Sequence, residues 1–160
     1  VSLGELYGEV RAYKVLRHQH VPEIERALGR VASIASGGAT AAPRVILTTH
    51  LLPIARGIFA TLTARLSRDI TQDELIARYR ADFDGDPFVA VMPTAEDVTL
   101  RRVVGTNHCL LGIASNGAQV VVTAAIDNLL KGAAGQAIEN LNLMLGLSRT
   151  AGLEHLARHA

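Results

Sequence analysis

The sequence predicts an α+β fold: a mixed sheet of about six strands, mainly antiparallel, accompanied by about three helices. Three observations carry that prediction. Runs rich in β-branched residues recur along the chain, among them RVILTT (44–49) and VVVT (120–123). The dipeptide Asn116-Gly117 joins two such runs in the manner of a tight hairpin. Helical patterns at 22–28, at 72–82 and after Asp127 supply the longer connections.

Composition bounds the rest. With 160 residues, 49% of them hydrophobic and 19% charged, the expectation is one compact domain with one sizeable core. A net charge of +1, with basic residues scattered among acidic ones, gives no electrostatic case for nucleic acid. A single cysteine makes no internal disulfide and fits a reducing compartment, so cytoplasm is the default. No apolar run approaches the ~20 residues of a membrane span, and the basic-then-apolar order of a secretion signal is missing, so a soluble protein off the membrane is expected. The opening VSLGELYGEV reads as mid-chain sequence, which points to part of a longer polypeptide.

Residues 10–16 (VRAYKVL) have strand composition and lead into His18, Gln19 and His20, an extended segment that would put both imidazoles on one face. Pro22 and Glu23 suit the first turn of a helix over 22–28, with Gly29 as its stop. Three readings of the histidines stand: a solvated strand end, proton transfer near neutral pH, or a metal site. Metal is disfavoured, because no Cys or His pair has zinc-ligand spacing. Residues 35–43 form a small-residue loop, 44–49 a strand and 58–66 a second strand with alternating apolar positions. Between the strands, Arg56 before Gly57 is either a surface charge or a forked ligand for a carboxylate or phosphate.

Thr71 to Glu74 has capping-box spacing, and Leu75, Ile76, Tyr79 and Phe83 repeat at helical intervals, so 72–82 is a packing helix. Asp82, Asp84 and Asp86 read as a solvated turn before a strand at 88–92, since Pro87 follows and no closing glutamate completes a calcium loop. Residues 99–104 and 109–114 frame Gly105, Thr106, Asn107 and His108, and Cys109 in its apolar run reads as a small buried hydrophobe. The stretch 120–147 runs from a buried strand through a polar turn into a helix that is apolar nearly all round, which should lie between other layers. Asp127 and Asn128 suit its start. Lys131 either snorkels to solvent or joins Asn128 in holding a phosphate or an amide. Gly132 and Gly135 cost about 1 kcal/mol each against alanine, so a neighbouring backbone or a flat ligand should approach them.

Four segments, in order, resemble the N-acetyl-γ-glutamyl-phosphate reductase family, relatives of aspartate-semialdehyde dehydrogenase. His18-Gln19-His20-Val21-Pro22-Glu23-Ile24 is similar to the family's His-Arg-His-x-Pro-Glu-Ile motif, with Gln19 in place of arginine. The segment His50 to Ile58 resembles Pro-His-Leu-x-Pro-x-x-Arg-Gly-Ile, with Thr49 where proline is usual. Gly105 to Cys109 resembles Gly-Ser/Thr-Asn-x-Cys, and AIDNLLKGAAGQAIENLNLMLGL resembles the C-terminal signature. The resemblance runs from Tyr7 to Leu153.

It implies the C-terminal substrate and dimerisation domain of the glyceraldehyde-3-phosphate-dehydrogenase-like fold, over residues 1–160. It also implies a cytoplasmic oxidoreductase of arginine biosynthesis that reduces an acyl phosphate to a semialdehyde with NADPH through a cysteine thioester. By motif, His18 and His20 become acid/base and substrate ligands with Glu23 orienting one ring, Arg56 a substrate ligand, and Asn128, Lys131, Gly132 and Gln136 cofactor neighbours. The family's nucleophile sits in an Asn-Pro-Gly-Cys motif that this sequence does not contain, and no glycine-rich dinucleotide fingerprint is present. The expectation is therefore an inactive portion that needs an NADP-binding domain and forms a homo-oligomer, a dimer or tetramer. The alternatives are a reductase of carrier-protein-linked aminoadipyl phosphate, of lysine biosynthesis, or a stand-alone binding or assembly module.

Overall fold

Where a β-branched run finds a partner it becomes strand, and where it finds none it stays irregular. The computed structural model describes residues 7–38 and 40–156. The elements run β1 (Arg11–Tyr13), α1 (His20–Ser36), β2 (Thr49–Leu51), β3 (Ile58–Ile70), α2 (Gln72–Asp82), β4 (Val89–Val91), β5 (Cys109–Ser115), β6 (Gly117–Ile126) and α3 (Gly135–Met144). The α+β class with three α-helices and a mixed sheet holds, but among the described residues the six strands divide into a two-stranded and a four-stranded sheet in place of the single sheet expected. The chain packs as two compact units, residues 1–55 and 56–160.

In the first unit, β1 and β2 pair antiparallel, Arg11 opposite Leu51 and Tyr13 opposite Thr49. β1 is shorter than its sequence predicts, and β2 is displaced, sharing only Thr49 with the expected strand 44–49 and lying otherwise in the expected connection. β1 stops because Lys14 (φ 49°) and Leu16 (φ 58°) enter the left-handed region and the Arg17 N–H closes a turn on the Lys14 carbonyl. Residues 44–48 of the expected strand have no ladder partner and remain irregular, pinned instead by the Val45 N–H to Glu25 Oε1 at 2.8 Å. Gly29 does not end α1. The helix passes through it, the Ala42 Cβ lying 3.0 Å from where a side chain would begin, and ends at Gly37 (φ 68°). Ala39, in the predicted loop, and residues 157–160 of the predicted tail lie outside the described residues.

In the second unit the strand order is β3-β6-β5-β4. β6 pairs antiparallel with both neighbours, while β4 joins β5 in parallel. Asn116-Gly117 does turn the chain between β5 and β6. The register of Ser115 opposite Val120 continues to the Asn116 N–H, which donates to the Gln119 carbonyl at 3.2 Å, so the turn is tight with Gly117 (φ 95°) and Ala118 at its tip, and Asn116 Oδ1 accepts the Gln119 N–H. α2 has the predicted bounds; Thr71 Oγ1 caps it by accepting the Glu74 N–H, while the Glu74 carboxylate turns to Arg68. Residues 100–102, within the 99–104 segment, form a 3₁₀ turn, which buries Val103 completely. One core cluster gathers Met92, Val98, Val103, Leu110 and Ala125; a second gathers Leu75, Ile113 and Val120.

The helix after Asp127 departs from expectation. It opens as a single π turn, Leu130–Ala134, before α3. It is not enclosed between layers by this chain: only Gly135, Glu139 and Asn142 of α3 are buried, while Leu141 and Met144 are 52% and 83% exposed. Apolar residues on every side require cover on every side, and within the described residues only one stripe receives it. The sheet likewise leaves Ile58, Phe59 and Leu62 of β3 exposed.

One position tests this packing directly. A Cβ on Gly112 would lie 2.6 Å from the Ala95 Cα and 2.7 Å from the Thr94 carbonyl oxygen, backbone atoms that cannot swing aside. Gly112→Ala is expected to lower stability by about 1–3 kcal/mol, read as a lower urea midpoint at unchanged slope.

Candidate functional site

The histidine motif is built at the start of α1. His18 is 7% exposed, and its Nδ1 accepts the His20 backbone N–H at 3.3 Å. The two rings meet edge to face at 4.7 Å between centroids, and Tyr13 closes on His18 at 5.7 Å. The pair does come together, but not on an extended segment: Gln19 is helical (φ −61°, ψ −23°) and His20 is the first residue of α1. The solvated strand end fails for His18. Burial, then the charges of His20 and Lys14, lowers its pKa below the ordinary imidazole value, with Glu23 opposing. Glu23 acts by charge alone, since among the described residues it makes no hydrogen bond to either ring. The Lys14 ammonium donates to the Gln19 side-chain oxygen, so the position where the family carries arginine still has a cation beside it.

In the second unit the buried carboxylate of Asp127 organises the polar turn. Oδ1 accepts the N–H groups of Leu129 (2.8 Å) and Leu130 (3.1 Å), and Oδ2 accepts the Gly105 N–H and the Arg56 guanidinium, both at 2.7 Å. Burial would raise this carboxyl group, but the bonds from Gly105, Leu129, Arg56 and Leu130 outweigh it and hold the pKa below the usual aspartate range. Arg56 is thus a carboxylate ligand, and the carboxylate it holds belongs to this chain. Asn128 does not cap the helix as its type allowed; its Oδ1 accepts the Gly57 N–H at 2.7 Å, fixing the left-handed Gly57 (φ 109°).

Lys131 does not snorkel. Its side chain is 10% exposed, its ammonium lies 2.6 Å from Glu139 Oε1 and 5.3 Å from the centre of the Phe88 ring. Glu139, itself 1% exposed, also accepts from Asn107 Nδ2 (2.8 Å) and Arg149 (2.9 Å), and Arg149 continues to Asp86 at 2.9 Å. Burial pushes Glu139 upward, yet Lys131, Arg149 and Asn107 together keep it below the ordinary glutamate value. Asp86 is therefore more than a solvated turn residue: besides Arg149 it holds the N–H groups of Phe88 and Val89. The glycines make room for this chain's own atoms. A Cβ on Gly135 would overlap the Asn107 carboxamide, and one on Gly132 would press on the Asp127 carbonyl and the Ile126 methyl at 3.3 Å.

What the turn shows to solvent is Leu129, 54% exposed, and a small-residue surface, Gly132, Ala133 and Ala134, with the Gln136 carboxamide bonded to Asn140 beside it. Cys109 is largely buried on β5; burial raises its thiol pKa, with Lys131 opposing and Asp86 adding to the rise. His108 is buried and His50 exposed. Among the described residues no three His, Cys, Asp or Glu side chains converge as a metal site, and no helix is long and apolar enough to cross a membrane. Glu139 and Arg149 are not singled out by the sequence, and Asn107, though part of a family motif, is given no role by it. The available signal was Gly135, Glu139 and Asn142 at helical spacing, a polar stripe on an apolar helix.

The family model described as semialdehyde dehydrogenase, dimerisation domain, matches residues 1–128. The chain belongs to that family. It is 41% identical to the N-acetyl-gamma-glutamyl-phosphate reductase of Bacillus cereus (strain AH187) over 154 residues, which cover 95% of this chain and 43% of that protein. The protein of the same name from Pelotomaculum thermopropionicum is 42% identical over 159 residues, 96% of this chain and 44% of its own. That of Geobacillus stearothermophilus is 39% identical over 155 residues, 96% and 43%. The chain spans a little under half the length of these relatives. In this semialdehyde dehydrogenase dimerisation domain, the exposed apolar surfaces of β3 and α3 are what a chain that assembles with further protein presents.

Three paired carboxylates, two of them buried, set its acid stability. Asp86, Asp127 and Glu139 all have depressed pKa values, so their stabilisation is present above the unfolded carboxylate range, about 4, and is lost as pH falls through their folded values. The urea midpoint should be flat from about pH 8 to 7, ease downward as pH falls through the unfolded imidazole value of about 6.5, because the fold disfavours protonated His18, and fall steeply below about 4. Glu139→Ala strands Lys131 and is expected to cost about 3–5 kcal/mol at neutral pH, measured by the same unfolding curves.

Proposed function

We propose that this chain supplies the substrate and dimerisation portion of an NADPH-dependent N-acetyl-γ-glutamyl-phosphate reductase. The reading is carried by identity of about 40% along nearly the whole chain to reductases of that name, joined to the four motifs that lie in their order. The dinucleotide-binding domain and the nucleophilic cysteine are supplied from outside residues 1–160, and the enzyme is a cytoplasmic homo-oligomer.

The chain's own residues take distinct parts. His18 accepts at Nδ1, which leaves the neutral ring's proton on Nε2. It can donate a hydrogen bond to a substrate oxygen there, and its lowered pKa favours the neutral ring. His20 is exposed at the first turn of α1, with Glu23 three residues on, and serves as the group that moves protons to and from the thiol and the hemithioacetal oxygen. Arg56, about a third exposed, shares its guanidinium between Asp127 and a substrate anion.

NADPH, when bound, supplies the hydride. The flat, side-chain-poor surface Gly132 to Ala134, with Gln136 beside it, fits the face and amide of a nicotinamide ring, whereas Asn128 and Lys131 hold the turn in shape from within.

The complete polypeptide, assayed by NADPH loss with N-acetyl-γ-glutamyl phosphate and with carrier-linked aminoadipyl phosphate, is expected to turn over the first. His20→Asn should lower kcat by about 10²–10⁴ with KM little changed, the scale of lost acid/base catalysis. Absence of turnover, or an unimpaired His20→Asn enzyme, overturns the proposal.

A further inference from the structure

Beside the histidines, the first unit carries a groove of about 560 Å³ along β1 and the turn that follows it. Arg11, Lys14 and Arg17 line it together with Tyr13, Val15 and Leu51. Three cations share one concavity, and among the described residues neither Arg11 nor Arg17 has an acidic partner. Like charges gathered without counter-charge repel one another, an arrangement that a bound anion would relieve.

The backbone holds the cations in place. Lys14 and Leu16 occupy the left-handed region, uncommon for side-chain-bearing residues, and the Arg17 N–H to Lys14 carbonyl bond at 3.1 Å locks the turn. Lys14 is further held by the Gln19 oxygen, one residue from either imidazole, and its charge is felt at His18. The lining pairs forked guanidinium donors and a phenol with two aliphatic side chains. That mixture suits a short carbon chain ending in an oxyanion, and the volume lies in the range of small-molecule sites.

We infer that the Arg11–Lys14–Arg17 groove is an oxyanion subsite that seats one charged end of the substrate beside the histidine pair. The inference rests on the reductase reading for the identity of the substrate, whose phosphoryl and carboxylate ends share the chemistry; occupancy of the groove by an anion does not depend on turnover. Gln19 then has a role that arginine would fill differently. It adds no charge and instead positions Lys14 at the groove.

Titrating the 160-residue chain with inorganic phosphate, and separately with N-acetylglutamate, while following the arginine side-chain N–H signals by NMR tests this. Saturable shifts of Arg11 and Arg17 with phosphate alone assign the subsite to the phosphoryl end; shifts with N-acetylglutamate assign it to a carboxylate end. In either case Arg17→Ala should weaken binding by about fivefold, the scale of one exposed charge-assisted pair, and Arg17→Lys should restore part of it. No saturable shift with either anion, or equal affinity in Arg17→Ala, overturns the inference. Failure of the reductase reading would show separately, as binding here without NADPH-dependent reduction by the complete polypeptide.

Discussion

The carboxylate of Asp127 is the constraint on which the second unit's polar turn depends. Four donors from three parts of the chain converge on its two oxygens: the N–H groups of Leu129 and Leu130 at the helix start, that of Gly105 from the preceding loop, and the Arg56 guanidinium at the head of β3. A charge with no access to water survives only if its hydrogen-bonding capacity is filled. Filling it ties strand, loop and helix start to one point, and leaves Leu129 and Gly132 to Ala134 facing outward.

A second buried charge does the same further along the chain, on α3. Glu139 draws Lys131, Arg149 and Asn107 together, and Arg149 extends the chain of pairs to Asp86. Such networks are poor sources of net stability but strong determinants of geometry, because each member is costly if unpaired. Here the geometry they specify is a π turn, with Gly135 placed where the Asn107 carboxamide leaves no room for a side chain. The histidine pair of the first unit is organised by smaller forces, one bond from backbone to ring nitrogen and edge-to-face contacts among Tyr13, His18 and His20.

Much of this was legible in the residues. α2 and its Thr71 cap follow directly from spacing, and β6 from its valines, since those are decided within a few residues of each other. The end of α1 was misread because Gly29 is there for the close approach of Ala42, a neighbour that sequence proximity does not reveal. The segment 44–48 has strand composition but no partner to form a ladder with. Asp127 was recognisable as a helix-start residue, yet nothing local indicated that Arg56, 71 positions earlier, would be the cation it holds.

By itself, then, the sequence determined the α+β class, the family signature and the residues that gather at its motifs, because local periodicity, turn chemistry and motif order are properties of short stretches. Only the tertiary structure decided that Lys131 and Asn128 face inward, that His18 is buried while His20 is exposed, and that α3 leaves most of its apolar surface uncovered. Those outcomes depend on which distant groups can supply a counter-charge, a hydrogen bond or a covering layer, and that is settled by packing in three dimensions.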